Sequence, residues 1–507
     1  MASSGNTAYR YRVHILLLII LLIALLARLY ALGKESIWLD EATSLMLARM
    51  DLAELVRWTA RDIHPPLYYI LLHFWIVLGD SEAILRGLSV LAGVLNVLAI
   101  YALGRELFDA PTGLLSACFL ALDPFHIWYS QETRMYAWTA LLFSAIVWAA
   151  LLYLHRPRQL ALGLYVALAV AGLYTHYYTL FALLLTNLWA LYALMRKHIP
   201  WRSWWYWVGA QLVVLLLFLL WLPNLLAIMG GGGGWLAFTE RGPSLAVLAQ
   251  TAIFYMVGMA RTEYPLLARR LGYVTFALAS GCAMWSGIAK QQPMGNRRRS
   301  MTAFTAREAV WLTASYLVLP LGIAWVASQV FKPMYSARYM LPFLMPFLLL
   351  VAWGIRQLSG KLLPLAMTCL LVLIMGTGIF LQARTLEKPD WRGWAARIQE
   401  ESQEGDLVFF MPGWHAAPFD YYAQGTLPIY SDMPLLMERY DEQALAQVDA
   451  AIARHPRIWF VWEKGHYTDP KGAVYQRLAE RCIQVATMPM LRLGQVVLFE
   501  NPEAASP

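Results

Sequence analysis

Charge is scarce in this 507-residue chain: Asp, Glu, Lys and Arg make up 14% of it, where a soluble domain carries about 25%. With 59% of the residues apolar and a mean hydropathy of +0.50, a water-soluble globule is excluded and a polytopic membrane protein is expected. Cysteine is scarce too. Cys118, Cys282 and Cys369 fall inside apolar runs and only Cys482 in a polar stretch, so neither a disulfide framework nor a metal-ligand spacing can be built. There is no Gly-rich phosphate fingerprint following a strand, so no soluble nucleotide is assigned. The net charge of +8 sits in short basic clusters between apolar runs. Topology and anionic headgroups explain those clusters, and no nucleic-acid partner is expected.

What the chain has in quantity is membrane-length apolar sequence and interfacial aromatics, with 22 Trp and 27 Tyr. Runs of 17 to 25 apolar residues are the unit of a crossing. They are read at about 13–32, 83–104, 112–128, 136–154, 160–176, 178–195, 204–222, 266–288, 309–328, 339–355 and 362–381. Arg10 and Arg12 before the first run resemble a signal peptide, but the run is long and lacks a small-residue cleavage site, so a retained helix is expected. About 11 transmembrane helices place the termini on opposite sides. Arg10, Arg12, Arg105, His155 to Arg158, Arg196-Lys197 and Arg297-Arg298-Arg299 then share one side, read as the cytoplasm. The expectation is a multi-pass protein of the cell (inner) membrane with its N-terminus cytoplasmic. Residues 66–78 and 244–260 are read as surface helices because crossings there would break this parity.

The polar segments left on the outer side are the loop 33–82 with Asp40-Glu41 and His64-Pro65-Pro66, the segment Asp123 to Tyr136, the hairpin Thr175 to Tyr178, the loop Gly230 to Gly234 and the segment Lys332 to Arg338. Within the first loop, Glu41 to Arg49 and Asp51 to Ala60 read as helices. The second has a capping-box-like start at Asp51 and Glu54. Residues 1–383 thus form a transmembrane domain. Residues 384–507 read as an extracytoplasmic α/β domain, with helix-like stretches at 391–402, 440–454 and 470–480 and strand-like runs Leu407–Phe410, Ile458–Val461 and Gln495–Phe499.

The outer segments are chemically complementary. Asp40, Glu41, Asp123 and Glu132 supply carboxylates, while Arg134, Arg338 and Lys332 supply cations. His64, His176, Tyr129, Tyr136, Tyr177, Tyr335 and Tyr339 supply rings and hydrogen-bonding groups. Together they suit a glycosyl group carried on phosphate. The leaving phosphate needs cations to stabilise its charge, and the acceptor hydroxyl needs a base, with inversion at the anomeric carbon. Without a nucleotide site, and with the chemistry outside, the donor is read as lipid-linked.

Plainer roles stand beside these. Asp40 also suits an N-cap of the helix beginning at Glu41, and His64-Pro65-Pro66 a helix entry. Glu132 and Arg134 also suit a mutual pair or headgroup contacts. His176 also suits an interfacial hydrogen bond, and Arg338 an interface anchor. Convergence of all these segments on one side favours the chemical reading.

The same residues carry a resemblance. Trp38-Leu39-Asp40-Glu41, His64-Pro65-Pro66-Leu67-Tyr68-Tyr69, Asp80-Ser81-Glu82 with Arg86, Gly104 to Phe108, and Pro124 to Tyr136 resemble bacterial family-39 glycosyltransferases. These are relatives of protein O-mannosyltransferases and of the aminoarabinose transferase that acts on lipid A. The match is specific over 36–140 and continues weakly through Thr175-His176-Tyr177 and Ala337-Arg338-Tyr339, and Asp390-Trp391-Arg392 also fits. The resemblance implies a GT-C fold, a polyprenyl-phosphate-sugar donor, membrane-lipid surroundings, and a lipid, glycan or protein acceptor. It implies inverting transfer that is metal-independent or only weakly metal-linked, so no cofactor is assigned and a divalent cation stays open. It makes Asp40 the base with Glu41 beside it, Asp123 or Glu132 the second carboxylate, and Arg134 and Arg338 donor-phosphate contacts. A glycan ligase using a polyprenyl-diphosphate donor and a non-enzymatic lipid transporter are the competing readings.

Overall fold

The computed structural model describes residues 2–231, 243–258, 304–331, 334–384, 388–431, 442–463, 471–490 and 494–503, with a few single positions besides. The chain divides into two compact units: Met1–Leu32 with Met50–Thr385, and Gly33–Arg49 with Leu386–Pro507.

In chain order the helices up to residue 384 are α1 (Ala2–Leu29), α2 (Leu39–Arg49), α3 (Leu52–Thr59), α4 (Leu67–Trp75), α5 (Glu82–Leu107), α6 (Ala110–Leu122), α7 (Pro124–Ser130), α8 (Tyr136–His155), α9 (Gln159–Leu173), α10 (Leu180–Met195), α11 (Trp201–Leu219), α12 (Leu222–Gly231), α13 (Ala246–Val257), α14 (Ala306–Val330), α15 (Leu344–Gln357) and α16 (Leu362–Arg384). All but α2 belong to the first unit.

Among the described residues, eight helical stretches are long and apolar enough to cross a membrane: Ala8–Leu29, Glu82–Leu107, Tyr136–His155, Tyr177–Met195, Trp201–Leu219, Ala306–Val330, Ala337–Gln357 and Leu362–Arg384. Leu67–Leu78, Ala110–Leu122, Gln159–Leu173 and Ala246–Val257 are apolar but shorter. The run expected at 266–288 lies mostly outside the described residues, as do Arg297 to Arg299 and Gly232 to Gly234.

The run expected at 112–128 is not one helix. It breaks at Asp123, which is extended (φ −72°, ψ 116°) and accepts the His126 N–H to cap α7, with Pro124 in the first turn where its missing N–H costs nothing. Two glycines let α5 and α6 pack backbone to backbone. A Cβ on Gly104 would lie 2.8 Å from Gly113 Cα, and one on Gly113 would lie 2.6 Å from the Tyr101 carbonyl oxygen. At the first outer loop, α3 is capped as its sequence suggests, with Asp51 accepting the Glu54 N–H.

The second unit holds a five-stranded sheet of order β2-β1-β3-β5-β4, with β1 (Leu407–Met411), β2 (Ile429–Tyr430), β3 (Arg457–Glu463), β4 (Ile483–Met490) and β5 (Gly494–Glu500). Strand β1 is parallel to β2 and β3, whereas β5 is antiparallel to β3 and β4. Alternation along the strands fills two cores. Leu407, Phe409, Met411, Ile458 and Phe460 face α19 (Glu442–Arg454) and α20 (Ala473–Arg481). Val408, Phe410, Trp459 and Val461 pack with Trp391, Ile398 and Phe419 of α17 (Trp391–Glu401) and α18 (Ala416–Ala423). Both faces being covered explains why the strands read as continuous apolar runs. Helix α2 packs on α18, so the segment that opens the first loop belongs to this unit.

Candidate active site

Chain turns at the ends of first-unit helices assemble a buried aromatic and cationic cluster. His64 sits between α3 and α4, held by Pro65-Pro66 at the helix entry. Arg134 lies in the turn between α7 and α8, where its N–H donates to the Glu132 carbonyl at 2.8 Å. His176 caps the single turn Tyr177–Thr179 by accepting the Tyr178 N–H on Nδ1 (3.2 Å), which puts its own proton on Nε2. Arg338 and Tyr339 come from the 3₁₀ turn Ala337–Phe343 that leads into α15.

Their rings interlock. His176 lies 4.9 Å from Tyr339, 5.6 Å from His64 and 6.5 Å from Tyr136, centroid to centroid. The guanidinium carbons of Arg134 and Arg338 both stand 5.9 Å from the centre of the Tyr136 ring, and Arg338 is also 5.8 Å from that of Tyr339. Arg134 donates to Tyr69 Oη at 3.3 Å. Two guanidiniums therefore stand at one ring in a largely buried pocket, a concentration of positive charge suited to an anion. Their planar forks match phosphate oxygens in pairs.

The cluster contains a carboxylate that sequence reading passed over. Asp62 Oδ2 is 3.5 Å from His64 Nδ1. Burial alone would push the Asp62 carboxyl up, but the His64 hydrogen bond, the Ile63 N–H and the Arg134 charge together hold it below the usual range. Burial pushes His64 down; the Arg134 and Arg338 charges act the same way, and Asp62 opposes them only in part. His64 is therefore neutral near pH 7, with Nδ1–H directed to Asp62, and its buried Nε2 has no hydrogen-bond partner among the described residues. The spacing Asp62-Ile63-His64 was the available signal. A cavity of about 390 Å³ lined by Glu54, Arg57, Trp58, Arg61 and Asp62 reaches this carboxylate.

The other expected residues fall in several places. Tyr129 joins the cluster through Tyr136 (5.3 Å between centroids). Tyr177 accepts from Trp221 Nε1 at 3.0 Å, and the Tyr335 hydroxyl pairs with that of Thr251 at 2.8 Å. Glu132 is buried beside Arg134 in sequence. Asp123 is wholly buried as the cap of α7, in a polar core where His126 bonds Arg28 (2.8 Å) and Asn96 (3.0 Å). Lys332 lies outside the described residues. Asp40 and Glu41 belong to the second unit; α2 begins at Leu39, so Asp40 is inside the first helical turn and does not cap it. Among the described residues, no group of three His, Cys, Asp or Glu side chains converges as a metal would require.

Residues 63–223 match the family model described as dolichyl-phosphate-mannose-protein mannosyltransferase. Comparison with curated proteins finds no match. The fold is similar to that of ArnT from Cupriavidus metallidurans bound to undecaprenyl phosphate, with a TM-score of 0.62 and 13% identity over 97% of this chain and 99% of that one. It is also similar to archaeal oligosaccharyltransferase AglB from Archaeoglobus fulgidus in complex with an inhibitory peptide and a dolichol-phosphate, with a TM-score of 0.54 and 11% identity over 98% and 75% of the two chains. The match to that family model over 63–223, within a fold similar to that of ArnT along nearly its whole length, makes this chain a GT-C-fold membrane protein with similarity to glycosyltransferases.

Proposed function

We propose that the protein transfers a sugar from a polyprenyl-phosphate donor to an acceptor hydroxyl at the extracytoplasmic membrane face, with inversion. The observation that carries this reading is the convergence of Arg134 and Arg338 on Tyr136, walled by His64, His176 and Tyr339. In this role the two guanidiniums take the donor phosphate and stabilise its growing charge as the glycosidic bond breaks, and the rings shelve the sugar. Support for a polyprenyl carrier comes from the undecaprenyl phosphate and dolichol-phosphate bound by the two structural neighbours. The resemblance supplies Asp40 as the base that takes the acceptor proton, with Glu41 next to it and Asp123 or Glu132 as the second carboxylate. Lipids, glycans and proteins are all candidate acceptors.

Release of polyprenyl phosphate by the purified chain tests the reading. Undecaprenyl-phosphate-linked sugars would be supplied in parallel with their diphosphate-linked counterparts, with membrane extract as the acceptor source. Turnover of the monophosphate donors, lost in Asp40→Asn at normal expression, is expected. Turnover only with diphosphate donors would point to a glycan ligase, and lipid movement without release of lipid phosphate to a transporter.

A further inference from the structure

Nearly every residue around Asp40 is tied to the C-terminal part of its own unit. The Lys388 N–H donates to Glu35 Oε1 at 3.2 Å. Ser36 Oγ donates to Asp390 Oδ1 at 3.0 Å and accepts the Arg392 N–H at 3.2 Å. The Ile37 N–H donates to Tyr422 Oη at 2.7 Å. Then Lys388 reaches both sides of the carboxylate: its Nζ stands 5.9 Å from the Trp38 ring and donates to Glu41 Oε2 at 3.2 Å. Glu41 is wholly buried and the Lys388 side chain only 6% exposed.

A buried ion pair is a poor device for stability alone, because desolvation of both charges offsets most of their attraction and an apolar pair of similar size does as well or better. What such a pair does supply is direction. An ammonium with three donors, bonded to one carboxylate and seated against one indole, fixes the register of the helix turn between them. Here that turn is Trp38-Leu39-Asp40-Glu41.

We infer that the C-terminal domain is the mount for the first-loop carboxylate, with Lys388 as the positioning residue that holds the Asp40 turn through Glu41 and Trp38. The inference rests on the reading of Asp40 as the base and gives the domain a role in the transfer step. Holding a reacting group is where small displacements matter, since a shift of about 1 Å can lower a rate about 100-fold.

The test uses the full chain in nanodiscs, with release of undecaprenyl phosphate from its sugar-linked form as the readout. Lys388→Met is expected to lower kcat roughly 100-fold with the donor KM unchanged, and Lys388→Arg to recover most of it. Lys388→Met also removes the ammonium that Glu41 bonds in its buried site, which lowers thermal stability. The double variant Glu41→Gln with Lys388→Met removes both charges and should restore the melting temperature while kcat stays low. Recovery of kcat in the double variant, or a kcat untouched by Lys388→Met, would overturn the inference. Asp40→Asn separates the two failures: if it is inactive while Lys388→Met turns over normally, only the mounting role falls. If Asp40→Asn turns over normally, the assignment of the base falls and the mounting role with it.

Discussion

Asp62 and His64 face one another, with Oδ2 and Nδ1 3.5 Å apart, beside the two arginines of the candidate active site. Both groups have their pKa values held below the ordinary ones, so each binds its proton more weakly in the folded chain than in the unfolded one. The stability that neutral His64 contributes is therefore fully present above its unfolded value of about 6.5, and is lost as pH falls toward its lower folded value. Asp62 adds a second loss at still lower pH, below about 3.9. Melting temperature measured in detergent between pH 7 and 5 should drop more steeply for the wild type than for His64→Gln. Parallel slopes would show that another group governs the acid limb.

Arg134 and Arg338 are expected to set donor affinity. Hydrogen bonds to charged groups contribute ~1.5–3 kcal/mol, so Arg134→Ala or Arg338→Ala should each weaken donor binding by roughly 10- to 100-fold. A titration with undecaprenyl phosphate checks this directly. Unchanged affinity in Arg338→Ala would mark that residue as an interface anchor.

Arg28 is expected to be a structural residue. Wholly buried, it donates through Nη1 to the carbonyls of Ala24 (2.9 Å) and Ala121 (3.2 Å), and through Nη2 to the Leu120 carbonyl (3.1 Å) and to His126 Nδ1 (2.8 Å). It thereby satisfies the last carbonyls of α6 just where Asp123 interrupts the chain. Each buried acceptor left without a donor costs ~1–3 kcal/mol. Arg28→Met should sharply lower the melting temperature, and Arg28→Lys should recover only part, since an ammonium cannot reproduce the guanidinium fork. Full stability in Arg28→Met would refute this role.

Two glycine substitutions of the same size should differ in effect. Gly113→Ala places its methyl 2.6 Å from the Tyr101 carbonyl oxygen and 3.0 Å from Arg105 N, backbone atoms that cannot swing aside. It should destabilise by ~1–3 kcal/mol through overpacking. Gly163→Ala meets nothing within 4 Å on α9, and should be neutral or stabilise by about 0.5–1 kcal/mol because alanine is the better helix former. Thermal unfolding of the pair decides it, and equal effects would contradict the close α5–α6 approach.

Hydrophobic length and periodicity alone determined that this is a helical membrane protein followed by a small α/β domain, because burial of apolar area dominates both and leaves its period in the residues. The side-chain chemistry of the outer segments, with the family resemblance they carry, pointed to His64, Arg134, Tyr136, His176, Arg338 and Tyr339, which the fold gathers into one cluster. The break at Asp123 needed structure, since an apolar run looks the same whether or not a carboxylate caps a new helix within it. Asp62 was harder to see: its partner His64 is only two residues on, but the Arg134 charge that bears on both comes from a segment far away in sequence. So was the attachment of 33–49 to the C-terminal domain. Lys388 and Glu41 are 347 residues apart, and no local pattern encodes a pairing whose specificity comes from burial of both charges. Only the tertiary structure decided which carboxylate stands beside the arginines and which part of the chain holds Asp40.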